Sequence, residues 1–140
     1  MLRPVAATAT AIVVAALLLP ACGSASAGEE LCADLGNLQP TVDYLAAPPA
    51  DATVGDVRGA LEKIDSTLQA VHDDPDVPDA QDDALLDAKD AYDDAIHGVG
   101  DDDAFGPWIG QTAGVARALH DAYAVVRATL VCATASPSAG

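Results

Sequence analysis

Four stretches of this chain space their apolar residues by alternating steps of three and four, the pattern of a helix that buries one narrow seam. The first runs Leu31, Leu35, Leu38, Val42, Leu45 and the second Val54, Val57, Leu61, Ile64, Leu68, Val71. The third runs Leu85, Ala88, Tyr92, Ala95, Val99, and the fourth Trp108, Thr112, Val115, Leu119, Ala122, Val126, Thr129. The segments between them are short: Ala47-Pro48-Pro49-Ala50, the stretch from Asp73 to Pro78, and Gly100-Asp101-Asp102-Asp103. Short connections make sequential helices antiparallel neighbours. The expected fold is all-α, an antiparallel up-down-up-down four-helix bundle over residues 29–133.

Helix ends carry their own signals. Thr53 with Asp56 three residues on forms a capping box, and Asp79 with Asp82 makes an acidic start after Pro78. Gly98 and Gly100 suit a left-handed cap on the third helix, and Pro107 suits the first turn of the fourth. Pro40 is the misfit. Inside the first helix it removes the bond to the Gly36 carbonyl and costs roughly 3 kcal/mol if nothing yields, so a kink or break is expected between Leu38 and Thr41.

Three cysteines test the topology. In an up-down-up-down bundle the start of the first helix and the end of the fourth share one end, and Cys32 and Cys132 occupy those places. A disulfide there closes the bundle where fraying begins and requires an oxidising compartment. The core is Ala-rich with five aromatics (Tyr44, Tyr92, Phe105, Trp108 and Tyr123), so it gains most from such a closure.

Cys22 belongs to a different pattern. Met1-Leu2-Arg3-Pro4 carries one positive charge, Val5–Leu19 is an uncharged apolar run of 15 residues, and Ala21 precedes the cysteine. The run is too short for a spanning helix, and residues 1–21 are expected to be a signal peptide. Leu19-Pro20-Ala21-Cys22 resembles the lipobox of bacterial lipoproteins, with Pro20 departing from the usual small or hydroxyl residue. The resemblance implies a diacylglyceryl group on Cys22 and anchorage on the extracytoplasmic face of the cell membrane. Two acyl chains suffice for stable anchoring where one does not. Residues 22–28 are then a flexible tether reaching about 20 Å, and 134–140 a disordered tail. In composition, poor in Cys and Lys and rich in Ala and Asp, the chain is similar to small secreted helical lipoproteins of high-GC Gram-positive bacteria.

Acidity limits the partners. Six basic and 22 acidic residues give a net charge of −16, or −17 without Arg3. Thirteen of the acids lie between Asp73 and Asp103, with Lys89 the only base among them. Nucleic acid is excluded as a partner by this balance, and a protein with a basic surface is favoured. A helix–loop–helix calcium loop counted from Asp74 puts Pro78, Ala80 and Leu85 where oxygen ligands are needed, so the pattern fails. His72, His97 and His120 are scattered, and Asp94-Ala95-Ile96-His97 supplies once a motif that bundle di-iron sites need twice. No Ser-His-Asp order, phosphate loop or Cys-x-x-Cys appears. No catalytic residue, metal ligand or cofactor is therefore expected. Gly106, Gly110 and Gly114, continued by Ala118 and Ala122, form a small-residue ridge beside Trp108. It is expected to pack on a neighbouring helix of the same chain, or else to leave a groove for a partner or small ligand.

The expected role is a non-enzymatic envelope interaction or scaffolding domain. The alternative is small-ligand or cation binding, by the Trp108 groove or the Asp73–Asp103 face. The disulfide is the expectation most open to test. Reduction, or Cys132→Ser, should lower unfolding stability by roughly 2–5 kcal/mol in denaturant titrations while the far-ultraviolet dichroism stays helical. Unchanged stability on reduction would remove the cross-link from the account.

Overall fold

The computed structural model describes residues 27–132. Cys22 and the segments expected to be a signal peptide, most of the tether and the tail lie outside the described residues. Four helices carry the fold: α1 (Ala27–Ala46), α2 (Val54–Asp73), α3 (Asp79–Ala95) and α4 (Ile109–Thr129), with a 3-10 turn over Gly106–Trp108 ahead of α4. Each helix packs on its two neighbours around a ring, α1 on α2, α2 on α3, α3 on α4 and α4 back on α1. This is the up-down-up-down bundle that the seams and short loops imply. No strand occurs among the described residues, apart from a single antiparallel bridge between Thr53 and Ala104.

The first two seams are buried along their whole length, Leu31 to Leu45 and Val54 to Val71. The third is buried at Leu85, Ala88 and Tyr92, and α3 then ends early, so that Ile96 rather than Ala95 enters the core. In α4 the buried line is Thr112, Ala116, Leu119, Tyr123 and Val126, not the expected one through Val115 and Ala122. Both lines have the same 4, 3, 4, 3 spacing. Burying the Tyr123 ring removes more apolar surface from water than burying Ala122, which decides the rotation.

α1 starts at Ala27, inside the expected tether, with Glu29 and Glu30 in its first turn facing the positive end of the helix dipole. Of the kink or break expected at Pro40, a break does not occur: α1 continues through it. Gly36 and Pro40 lie on the exposed side of the helix, so water can take the carbonyl bond that Pro40 cannot make. Pro78 stands at the N-cap of α3 without a side-chain cap, and the acidic pair Asp79 and Asp82 falls inside the first turn.

The Thr53–Asp56 capping box forms in full. Asp56 N–H donates to Thr53 Oγ1 at 3.2 Å, and Thr53 N–H donates to Asp56 Oδ2 at 2.9 Å. The next donors of α2 are met from the far loop: Val54 N–H donates to the Asp103 carbonyl and Gly55 N–H to the Asp101 carbonyl, each at 2.9 Å. A Cβ on Gly55 would stand 3.1 Å from both the Cβ and the carbonyl oxygen of Asp101, so glycine permits this approach. Arg58 completes the junction. Its Nη2 donates to the carbonyls of Ile96 and Val99 at 3.0 and 2.8 Å, and its Nη1 pairs with the Asp101 carboxylate.

At the other end Cys32 and Cys132 are joined, with Cα atoms 5.3 Å apart, within the usual disulfide range. The chain reaches Cys132 through a Schellman turn. Cys132 N–H donates to the Arg127 carbonyl at 3.0 Å and Val131 N–H to the Ala128 carbonyl at 3.1 Å. The left-handed position of that motif, ordinarily glycine, is held by Val131 with φ 52°. A β-branched side chain there is strained by about 1–2 kcal/mol, and Val131 recovers little by packing because it is 84% exposed. Val131→Gly should therefore raise the stability of the oxidised protein by about 1 kcal/mol, read as a higher melting temperature. A lower melting temperature would mean that the valine side chain makes a contact worth more than the strain.

Candidate functional site

The residues singled out in the sequence do not converge on one place. Gly106 and Trp108 sit in the 3-10 turn, and Trp108 is half-buried against the edge of the core. Gly110 and Gly114 face open space, with no atom within 4 Å of an added Cβ. The expected packing of this ridge on a neighbouring helix is thus overturned. The helix places Thr112, Ala116 and Leu119 inward instead, which turns the glycines to solvent. Trp108 lines none of the five clefts described.

The acidic segment divides into a structural part and an exposed part. Asp74 is buried in the α2–α3 connection, where its Oδ1 accepts from Asp76 N–H at 2.9 Å. Asp101 and Asp103 are committed to α2 through the carbonyl bonds above. Asp103 Oδ2 also accepts from Gly100 N–H at 3.0 Å. Lys89 bridges α2 and α3, reaching Asp65 at 3.1 Å and Asp93 at 3.0 Å. Partial burial disfavours its charged form, but hydrogen bonds with Asp93 and Asp65 outweigh this and hold its pKa above the ordinary lysine value. What remains is a stripe on α3: Asp83, Asp87, Asp90 and Asp94 fall one turn apart and all are exposed, with Asp90 alone near a lysine, 3.7 Å from Lys89. Like charges at this spacing repel by about 0.2–0.5 kcal/mol per neighbouring pair.

The histidines are placed separately. His72 Nδ1 lies 2.7 Å from Asp82 Oδ2, and that hydrogen bond raises its pKa above the ordinary histidine value. His97 follows α3 at the other end of the bundle and lines a small cleft with Arg58, Asp90, Asp93 and Asp94. His120 stands 3.9 Å from Asp43. No group of three or more His, Cys, Asp or Glu side chains among the described residues could hold a metal ion.

A cleft of about 1030 Å³ opens at the disulfide end between α1 and the end of α4. Gly36, Asn37, Asp76, Arg127, Val131 and Cys132 are among its walls. Nothing in the periodicity points there, because its residues come from positions nearly 100 apart, joined by the disulfide. No helix among the described residues is long and apolar enough to cross a membrane.

Two buried tyrosines tie helices together through their hydroxyls. Tyr92 donates to the Leu45 carbonyl at 3.1 Å, capping an acceptor in the last turn of α1 that has no partner within its own helix. Tyr123 donates to the Leu35 carbonyl. Burial pushes Tyr92 up to about 12, and it raises Tyr123 as well, with Arg127 nearby opposing the rise. A group whose folded pKa lies above its unfolded value stabilises below the unfolded pKa and loses that contribution as pH rises through the folded one. Stability should therefore fall between about pH 10 and pH 12, by on the order of 2–3 kcal/mol for Tyr92. Denaturant titrations across that range check it, and Tyr92→Phe should flatten the profile while costing about 1 kcal/mol at neutral pH. An unchanged profile in the variant would remove Tyr92 as the cause. No protein-family model, curated protein or solved structure matches the chain, so its fold and side chains alone bear on function.

Proposed function

We propose that this chain is a lipid-anchored extracytoplasmic bundle that acts as a non-enzymatic interaction or scaffolding domain of the cell envelope. The lipobox-like Leu19-Pro20-Ala21-Cys22 supports the anchor. The Cys32–Cys132 bond supports an oxidising compartment. Its partner is a protein with a basic surface, docked on α3. The carrying observation is the exposed stripe Asp83, Asp87, Asp90 and Asp94, which repels itself and gains from an opposing row of Lys or Arg. The lipid tether would place the disulfide end of the bundle nearest the membrane, because α1 begins five residues after Cys22. The acidic stripe then runs outward from the membrane along α3.

Protein from the membrane fraction should begin at Cys22 and carry a diacylglyceryl mass, and Cys22→Ala should retain the precursor or release the domain to the medium. Unmodified mature protein from wild-type cells would overturn the anchor. In the same membranes a photo-cross-linker at Asp87 should capture a discrete protein, and the capture should disappear when Asp83, Asp90 and Asp94 are changed to Asn. Capture unaffected by those changes would overturn docking through the acidic stripe.

A further inference from the structure

Val131, with φ 52°, is the only residue other than glycine with positive φ among the described residues. A β-branched side chain resists that conformation. Its own packing does not hold it there, because the side chain is 84% exposed. Nor do the hydrogen bonds of the turn, from Val131 N–H to the Ala128 carbonyl and from Cys132 N–H to the Arg127 carbonyl, since water replaces such bonds at an exposed helix end at little net cost. The covalent tie does. A helix running on from Thr129 would carry position 132 further along its axis, whereas the left-handed turn brings Cys132 back beside Cys32 in the second turn of α1. Non-glycine residues in this conformation persist where their surroundings impose it, and they gather at switch regions. The bond is also within reach. Cys32 and Cys132 are both half-buried and both line the cleft of about 1030 Å³, and Cys132 lines a second of about 340 Å³ between α1 and α4. Strained, reachable disulfides are the ones that thiols reduce most readily.

We propose that Cys32–Cys132 is a redox switch, reduced by an external dithiol while the bundle stays folded, which frees the end of α4 from α1. One thiolate of the dithiol attacks a sulfur of the bond, which breaks to leave a mixed disulfide and one protein thiolate. The second thiolate of the dithiol then displaces the other protein sulfur. The reductant departs as its own disulfide, and Cys32 and Cys132 gain the electron pair it loses and take up two protons. Glu29 and Asp76 share the cleft wall, and the chain carries −16, so an uncharged dithiol reaches the bond more easily than an anionic thiol. What moves is short. The Thr129 hydroxyl donates to Gln81 Oε1 at 2.8 Å and stays fastened to α3, and Tyr123 still donates to the Leu35 carbonyl. Leu130, Val131 and Cys132 are the residues released, and they form one wall of the larger cleft. The switch is separate from the docking assigned to α3 and stands or falls without it.

The test equilibrates the full chain, in neutral detergent and without denaturant, with mixtures of reduced and oxidised dithiothreitol. Alkylation followed by peptide mass spectrometry counts free Cys32 and Cys132 apart from Cys22, and the two should be freed together. Val131→Gly relieves the oxidised form more than the reduced one, and should raise the reduced-to-oxidised ratio at half-reduction about fivefold. Val131→Ala removes the exposed side chain but keeps a Cβ, and should raise the ratio less. An unchanged ratio in the glycine variant, or an equal rise in the alanine variant, would overturn the strained switch. Amide hydrogen exchange reads the movement. On reduction Val131 and Cys132 should lose protection while the amides of α2 and α3 stay protected. Protection kept at Val131 and Cys132, or lost throughout the bundle, would overturn the proposal, as would a bond that yields only in denaturant.

Discussion

The covalent bond between Cys32 and Cys132 governs the architecture, because it joins the two helices that the chain itself leaves farthest apart. In a ring of four helices, three contacts join helices that are consecutive in the chain, whereas the α1–α4 contact must close across a separation of 100 residues. Chain entropy opposes that closure most strongly, and in the simplest model a cross-link of this span offsets about 4.7 kcal/mol of it. Around the bond the α1–α4 seam is finished by groups that span it directly: Tyr123 to the Leu35 carbonyl and Arg127 to Gln39. The backbone yields to this closure locally, since the turn that delivers Cys132 holds a valine in a left-handed conformation.

The opposite end is held without a cross-link. There the backbone of an acidic loop, rather than its charges, makes the joint: carbonyls of Asp101 and Asp103 meet the first N–H groups of α2. The partial positive charge of a helix N-terminus attracts that loop, and Arg58 neutralises part of what it brings. A chain carrying −16 is thereby kept compact at the place where its acids are densest. Lys89 does the same between α2 and α3. Arg58 and Lys89 are thus engaged at helix junctions, and of the α3 stripe only Asp90 comes within ion-pair distance of a lysine or arginine, 3.7 Å from Lys89.

Much of the fold was legible because a one-faced helix has a period that few other structures share. The seams of α1 and α2, the Thr53–Asp56 cap and the placement of both disulfide cysteines at one end all follow from local spacing. The rotation of α4 did not, because Ala122 and Tyr123 are adjacent, both can be buried, and only the space left by the other helices selects between them. Pro40 does not end α1, because the bond it removes is on the side that faces water. The glycine ridge misled. Gly110 and Gly114 look like a packing surface by spacing, yet the inward turn of Thr112, Ala116 and Leu119 leaves them outside. Gly55, unremarkable in sequence, is the glycine that a close approach requires, and the atoms it makes room for lie 46 residues away in Asp101.

By itself the sequence determined the helical class, the number and order of helices, the acidic character of the surface and the pairing of Cys32 with Cys132. Each of these depends on neighbours a few residues apart or on the simple rule that short loops reverse direction. Tertiary structure alone decided which carboxylates remain exposed, which glycine is constrained and which polar groups meet across the bundle. Those properties depend on atoms brought together from distant positions, such as Arg127 and Gln39, separated by 88 residues. Hydrophobic periodicity says which side of a helix turns inward, but the partner a polar group meets is set only when the helices close around the core.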